Sequence, residues 1–107
     1  MRIGIIETGR PPEALQGEHG SYPDMFVRLL GRENPEFAFT TFAAIDGEVP
    51  SDPKSCDGWL ITGSRHGVYE RLPWMAKLSE LIRSAVAAKV PVVGICFGHQ
   101  IMADALG

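Results

Sequence analysis

The sequence predicts a three-layer α/β fold built on a mostly parallel sheet, and three observations predict it. Strand and helix signals alternate along the chain in the order β-α-β-β-α-β-α. The strand signals are short, unbroken apolar runs, the pattern of strands covered on both faces. The longer helix signals carry a single apolar stripe, so each has one face to bury and one to hydrate.

The first strand is Ile3 to Glu7, a β-branched run closed by Thr8-Gly9 and the Pro11-Pro12 breaker. Gly17 to Gly20 reads as polar loop. Ser21 with Asp24 three positions on resembles a helix start, and Met25, Phe26, Leu29 and Leu30 share one helical face before Gly31 suits the stop. Phe37 to Phe42 is a second strand, and Asp46 to Lys54, with Gly47, Pro50 and Pro53, a loop. Cys56-Asp57-Gly58 leads into a third strand, Trp59 to Thr62, which ends at Gly63. Gly63 to Leu72 is a glycine-containing loop. Trp74 to Lys89 follows as a helix, striped by Met75, Leu78, Leu81, Ile82, Ala85 and Val86. Pro91 to Ile95 is a short apolar strand running straight into Cys96, and Gly98 to Leu106 a last helix. The order favours a Rossmann-like or flavodoxin-like arrangement, whose ligands gather beyond the carboxyl ends of the strands.

Bulk properties narrow the function. The 107 residues suit one domain or a piece of one; 45% are apolar and 21% charged, as in ordinary globular proteins. A formal charge of −3 offers no basic footprint for nucleic acid or an anionic membrane. No apolar run approaches the roughly 20 residues that span a bilayer, and Met1 opens into the first strand without a secretory leader. Two cysteines, Cys56 and Cys96, make neither a disulfide framework nor a zinc site, so a reduced, cytoplasmic setting is expected. There is no Walker loop and no G-x-G-x-x-G, hence no nucleotide site and no expected cofactor.

The most informative stretch is Val92 to Gln100. A reactive side chain on a sharp turn between strand and helix projects above the sheet edge, and small residues two before and two after it give the backbone room. Gly94 and Gly98 hold those places around Cys96. The helix that follows points its unpaired N–H groups and positive end at the sulfur, favouring the thiolate, and the Phe97 N–H can donate to an oxyanion. Spacing alone equally suits a small buried cysteine at a strand end.

The string Gly94-Ile95-Cys96-Phe97-Gly98-His99-Gln100 resembles the nucleophile motif G-[IV]-C-x-G-[HM]-Q of class I (triad-type) glutamine amidotransferases. Leu60-Ile61-Thr62-Gly63-Ser64 resembles the family's other landmark, a strand ending in a glycine loop. Gly63 to Glu70 looks most like the stand-alone amidotransferases related to the glutaminase domain of GMP synthase. The resemblance implies that Cys96 attacks the side-chain amide of L-glutamine, forming a thioester and releasing ammonia for an acceptor synthase domain or subunit. It further implies that amides at Phe97 and at Gly63 or Ser64 form the oxyanion hole, and that Gln100 helps hold the glutamine.

The family completes its triad with a downstream His-x-Glu or His-x-Asp. None of His19, His66 and His99 has an acidic residue two positions on. The resemblance therefore implies that residues 1–107 are the N-terminal part of one amidotransferase domain, truncated after the nucleophile helix and inactive alone, with a sheet edge or face left uncovered. Two other readings share the scaffold: a DJ-1/PfpI-like cysteine hydrolase and a non-catalytic regulatory or interaction fragment. Gln100 and the Gly63-Ser64 loop favour the amidotransferase. Elsewhere, Glu7 reads as a solvated carboxylate, Cys56 as inert and buried, and Arg65 as a solvated loop residue. Tyr69, Glu70 and Trp74 suit either a pocket mouth or core packing.

Overall fold

A computed structural model describes residues 1–9, 22–33, 35–63, 70–95 and 97–107. Its elements are β1 (Arg2–Glu7), α1 (Tyr22–Glu33), β2 (Ala38–Ala43), a 3-10 turn (Ala44–Asp46), β3 (Gly58–Ile61), α2 (Pro73–Ala87), β4 (Val92–Gly94) and α3 (Phe97–Leu106). The four strands form one sheet in the order β2-β1-β3-β4, and every pairing is parallel. The expected α/β architecture is present.

Register explains how the layers separate. Ile6 stands beside Phe42 and Ile61, and Gly4 beside Trp59. Since alternate residues of a strand point to opposite faces, Ile6, Phe42, Trp59 and Ile61 share one face. There they pack with Trp74, Met75, Leu78, Leu81, Ile82 and Ala85 of α2 and Ile101 and Ala105 of α3. Burying each large aliphatic side chain is worth about 1.5–3 kcal/mol, so this layer is the main source of stability. Ile3, Ile5, Phe39 and Leu60 occupy the other face, where α1 packs against β1. On that face Val93 of β4, beside Leu60, is 56% exposed.

Local chemistry accounts for the best-formed helix. Pro73 takes the first helical position of α2, where its missing N–H costs nothing. At the other end Lys89 adopts φ 60°. The Lys89 N–H then donates to the Val86 carbonyl (3.0 Å) and the Val90 N–H to Ala85 (2.9 Å), the double closure that turns a chain out of a helix.

Boundaries differ from expectation in specific ways. Gly31 does not stop α1, which continues to Glu33; the glycine instead lies against the Phe39 ring, 3.7 Å from where a Cβ would stand. Thr62 falls beyond the end of β3, and β4 is only Val92–Gly94. The proposed start of α1 at Ser21 lies outside the described residues.

Candidate functional site

Three strands deliver residues to one edge of the sheet. β1 ends in Glu7 and continues into Thr8-Gly9; β3 ends in Ile61 and continues into Thr62-Gly63; β4 ends in Gly94 and leads through Ile95 to α3. The chain leaves β1 toward β2 on one side, then returns to place β3 on the other. Such a reversal makes the carboxyl ends of β1 and β3 the topological switch point, the usual ligand position in parallel sheets.

The two strand ends are hydrogen-bonded to each other there. Thr8 and Thr62 are both fully buried. The Thr8 N–H donates to Thr62 Oγ1 at 3.0 Å, and the Thr8 hydroxyl donates to the Thr62 carbonyl at 2.6 Å. The Thr62 N–H donates to the Ile6 carbonyl at 3.0 Å, continuing the ladder one step past β3. The Gly63 carbonyl lies 3.2 Å from Thr8 Oγ1 and 3.3 Å from Thr62 Oγ1. Buried polar groups just past the ends of two strands thus satisfy one another.

The α3 side is held by backbone contact. The Ile95 N–H donates to the Ile61 carbonyl (3.1 Å), and the Gly98 N–H to the Ile95 carbonyl (3.0 Å). A Cβ on Gly98 would stand 2.6 Å from the Ile61 carbonyl oxygen, closer than atoms can approach. Gly98 is therefore required by the docking of α3 against β3, a tighter reason than room for a turn.

Of the expected site residues, Phe97 is the first residue of α3 and Gln100 is exposed in the first helical turn; Gly98 between them is buried. Gly63 is half-buried at the end of the β3 extension. Cys96 and Ser64 lie outside the described residues, as do His19, Arg65, His66 and Tyr69. Glu7 corrects an expectation: it is only 6% exposed and not a solvated carboxylate, because it ends a central strand flanked on both sides. Trp74 belongs to the core. Cys56 is buried as expected, at the opposite end of the sheet; burial pushes its thiol above the ordinary value, with Arg2 opposing.

The Thr8–Thr62 pair was missed in the sequence. Its signal is a repeated Thr-Gly directly after two strands, Thr8-Gly9 and Thr62-Gly63. A separate shallow cleft of about 100 Å³ lies between α2 and α3, lined by Arg71, Met75, Ser79, Ile101 and Asp104 among others. The Arg71 guanidinium closes one side by donating to the Asp104 carboxylate at 2.9 Å. Among the described residues, no three His, Cys, Asp or Glu side chains stand together to hold a metal, and no helix is long and apolar enough to cross a membrane.

This arrangement has known counterparts. Residues 19–107 match the family model for class-I glutamine amidotransferases, and the chain belongs to that family. Gamma-glutamyl peptidase 4 of Arabidopsis thaliana is 37% identical over 97 residues, covering 89% of this chain and 38% of the relative. Gamma-glutamyl peptidase 3 of the same plant is 35% identical, covering 99% and 43%. A crystal structure of a glutamine amido transferase from Methylobacillus flagellatus superposes with a TM-score of 0.77 at 30% identity, covering 99% of this chain and 39% of that one. The chain thus spans about two fifths of the length of these relatives.

Proposed function

We propose that this chain carries the nucleophile of a glutamine amidotransferase reaction. Cys96 adds to the side-chain carbonyl of L-glutamine, the tetrahedral adduct collapses to a γ-glutamyl thioester, and ammonia leaves for an acceptor synthase domain or subunit. The observation that supports this best is the start of α3 at Phe97, immediately after Cys96, at the carboxyl edge of a parallel sheet. A helix beginning there offers unpaired N–H groups and a positive end, which lower the pKa of a thiol. The Phe97 N–H serves as one oxyanion donor and the amide of Gly63 or Ser64 as the other, each worth about 3 kcal/mol of transition-state stabilisation. Gln100, exposed one turn into α3, holds the glutamine. No cofactor enters, and a reduced cytoplasmic setting keeps the thiol available.

Residues 1–107 form the N-terminal part of one amidotransferase domain. No histidine in them is followed two positions on by an acidic residue, so the His-x-Glu base comes from outside them. Without it the departing ammonia has no proton donor and the hydrolytic water no acceptor, and turnover by this chain alone is very poor.

The test is alkylation by a chloroketone analogue of glutamine. Selective labelling of Cys96, slowed by free glutamine and lost in Cys96→Ser, is expected. Labelling no more selective than that by iodoacetamide, with no protection by glutamine, refutes the proposal. Glutamine turnover by this chain alone, abolished in Cys96→Ser, refutes the incompetence of the 107 residues.

The relatives named gamma-glutamyl peptidases support a second reading. The attack is the same, but an amine, not ammonia, leaves the γ-glutamyl group. Protection against labelling separates the two: a γ-glutamyl dipeptide that protects at lower concentration than glutamine favours the peptidase.

A further inference from the structure

Thr8 and Thr62 stand where β1 and β3 leave the sheet side by side, and their hydrogen bonds are directional. Thr8 gives its hydroxyl proton to the Thr62 carbonyl (2.6 Å) and its N–H to Thr62 Oγ1 (3.0 Å). With the Thr8 proton committed to that shorter bond, Thr62 is placed to give its own hydroxyl proton to the Gly63 carbonyl (3.3 Å), which also lies 3.2 Å from Thr8 Oγ1. Two hydroxyl protons serve two successive carbonyls. In a planar trans peptide the carbonyl and the next N–H point in opposite directions. Holding the Thr62 carbonyl therefore aims the Gly63 N–H. The short, buried Thr8–Thr62 bond is the strong one and leaves little orientational freedom; the 3.3 Å bond to the half-buried Gly63 carbonyl is weaker.

We propose that Thr8 is a positioning residue for the reaction at Cys96: acting through Thr62 and Gly63, it aims the second oxyanion donor. This rests on the reading of the Gly63 or Ser64 amide as that donor. Thr8 is fully buried and so acts through its neighbours. Its hydroxyl is the working group, since valine would fill the same space yet release the Thr62 carbonyl.

The test compares two alkylation rates of Cys96 in the full chain. Sulfur adds to the carbonyl of the glutamine chloroketone, placing negative charge on its oxygen, before it shifts to the neighbouring carbon and chloride leaves; with iodoacetamide the sulfur displaces iodide directly at carbon and needs no oxyanion hole. Outright loss of a donor costs about 10²–10³-fold, so Thr8→Val, which misaims one, is expected to slow the chloroketone about 10- to 100-fold. The iodoacetamide rate should stay within about twofold, and Thr8→Ser should restore the chloroketone rate to within about threefold, because the hydroxyl donor returns. An unchanged ratio of the two rates in Thr8→Val overturns the proposal. So does an equal fall in Thr8→Ser, which would assign the effect to packing. Should Thr8→Val fail to fold, Thr8→Cys, with a weaker donor of similar size, must show an intermediate fall in the ratio, and a wild-type ratio there overturns the proposal. Failure of the functional reading appears already in the wild-type chain, as unselective labelling without glutamine protection, and takes the Thr8 proposal with it; failure of Thr8 alone appears only in the variants.

Discussion

The two ends of the sheet are closed by different chemistry. At the amino end, Gly4 makes way for a side chain: a Cβ there would stand 2.4 Å from the Trp59 ring. The indole N–H reaches the Pro53 carbonyl at 2.9 Å, and Phe42 stacks at a tilt 5.7 Å away. Arg2 and Asp57 exchange two bonds, the Arg2 N–H to the carboxylate (2.7 Å) and the Asp57 N–H to the Arg2 carbonyl (2.8 Å). At the carboxyl end, Gly98 makes way for backbone, the Ile61 carbonyl; backbone N–H to carbonyl bonds hold α3 there, and Thr8 and Thr62 bond through hydroxyl, N–H and carbonyl beside it. An end filled by side chains stabilises through burial and can adjust by rotamer shifts. An end braced through backbone tolerates no such adjustment, which suits the place where reacting atoms must be held.

The contrast can be broken in order of expected effect. Trp59→Ala empties the amino end and should cost about 3–5 kcal/mol of stability; a denaturant midpoint that barely moves would show the indole to be dispensable. Gly98→Ala comes next. In an ordinary helix this change stabilises by about 0.5–1 kcal/mol, but here overpacking against Ile61 should destabilise by about 1–3 kcal/mol. A gain in thermal midpoint would refute the close approach of α3 to β3.

The third effect depends on pH. Burial raises the Cys56 thiol, so the folded chain keeps that proton to higher pH than the unfolded chain. Its contribution is fully present below the ordinary thiol value of about 8.5 and is lost as pH rises above it. Denaturant unfolding at pH 8 and pH 10 should show a larger loss for wild type than for Cys56→Ala; parallel losses would remove Cys56 from the account. The smallest effect belongs to the Arg71–Asp104 pair. With the arginine side chain 70% exposed, Arg71→Ala should cost less than about 0.5 kcal/mol. A loss above about 1 kcal/mol, by the same unfolding measurement, would show the cleft between α2 and α3 to be structurally important.

Element types were legible because periodicity and breakers are local. The unbroken runs from Ile3 to Glu7 and from Trp59 to Thr62 became the two central strands, the second stopping short of Thr62. Met75, Leu78, Leu81, Ile82 and Ala85 became the buried face of α2, while Val86, expected in the same stripe, is 45% exposed. The small residue at Gly98 was legible too, though its cause was not, because the carbonyl it admits belongs to a residue 37 positions earlier. The same distance hid the Thr8–Thr62 lock: each threonine alone reads as a strand end, and only the β1–β3 register brings them together. Glu7 was misjudged for a related reason, since strand order decides whether a terminal carboxylate meets solvent. Gly31 misled because a stop signal was outweighed by packing on Phe39.

The all-parallel ladder also shapes how the chain acquires its form. No two neighbouring strands can be joined by a hairpin, so β1, synthesised first, waits 36 positions for its partner at Phe39 and 55 for the one at Gly58. Pairing strands across such long separations is slow compared with forming helices. The central strand, with its buried isoleucines, therefore spends the early life of each nascent molecule unpaired, and that interval is when a chaperone or a second copy of the chain has most to hold.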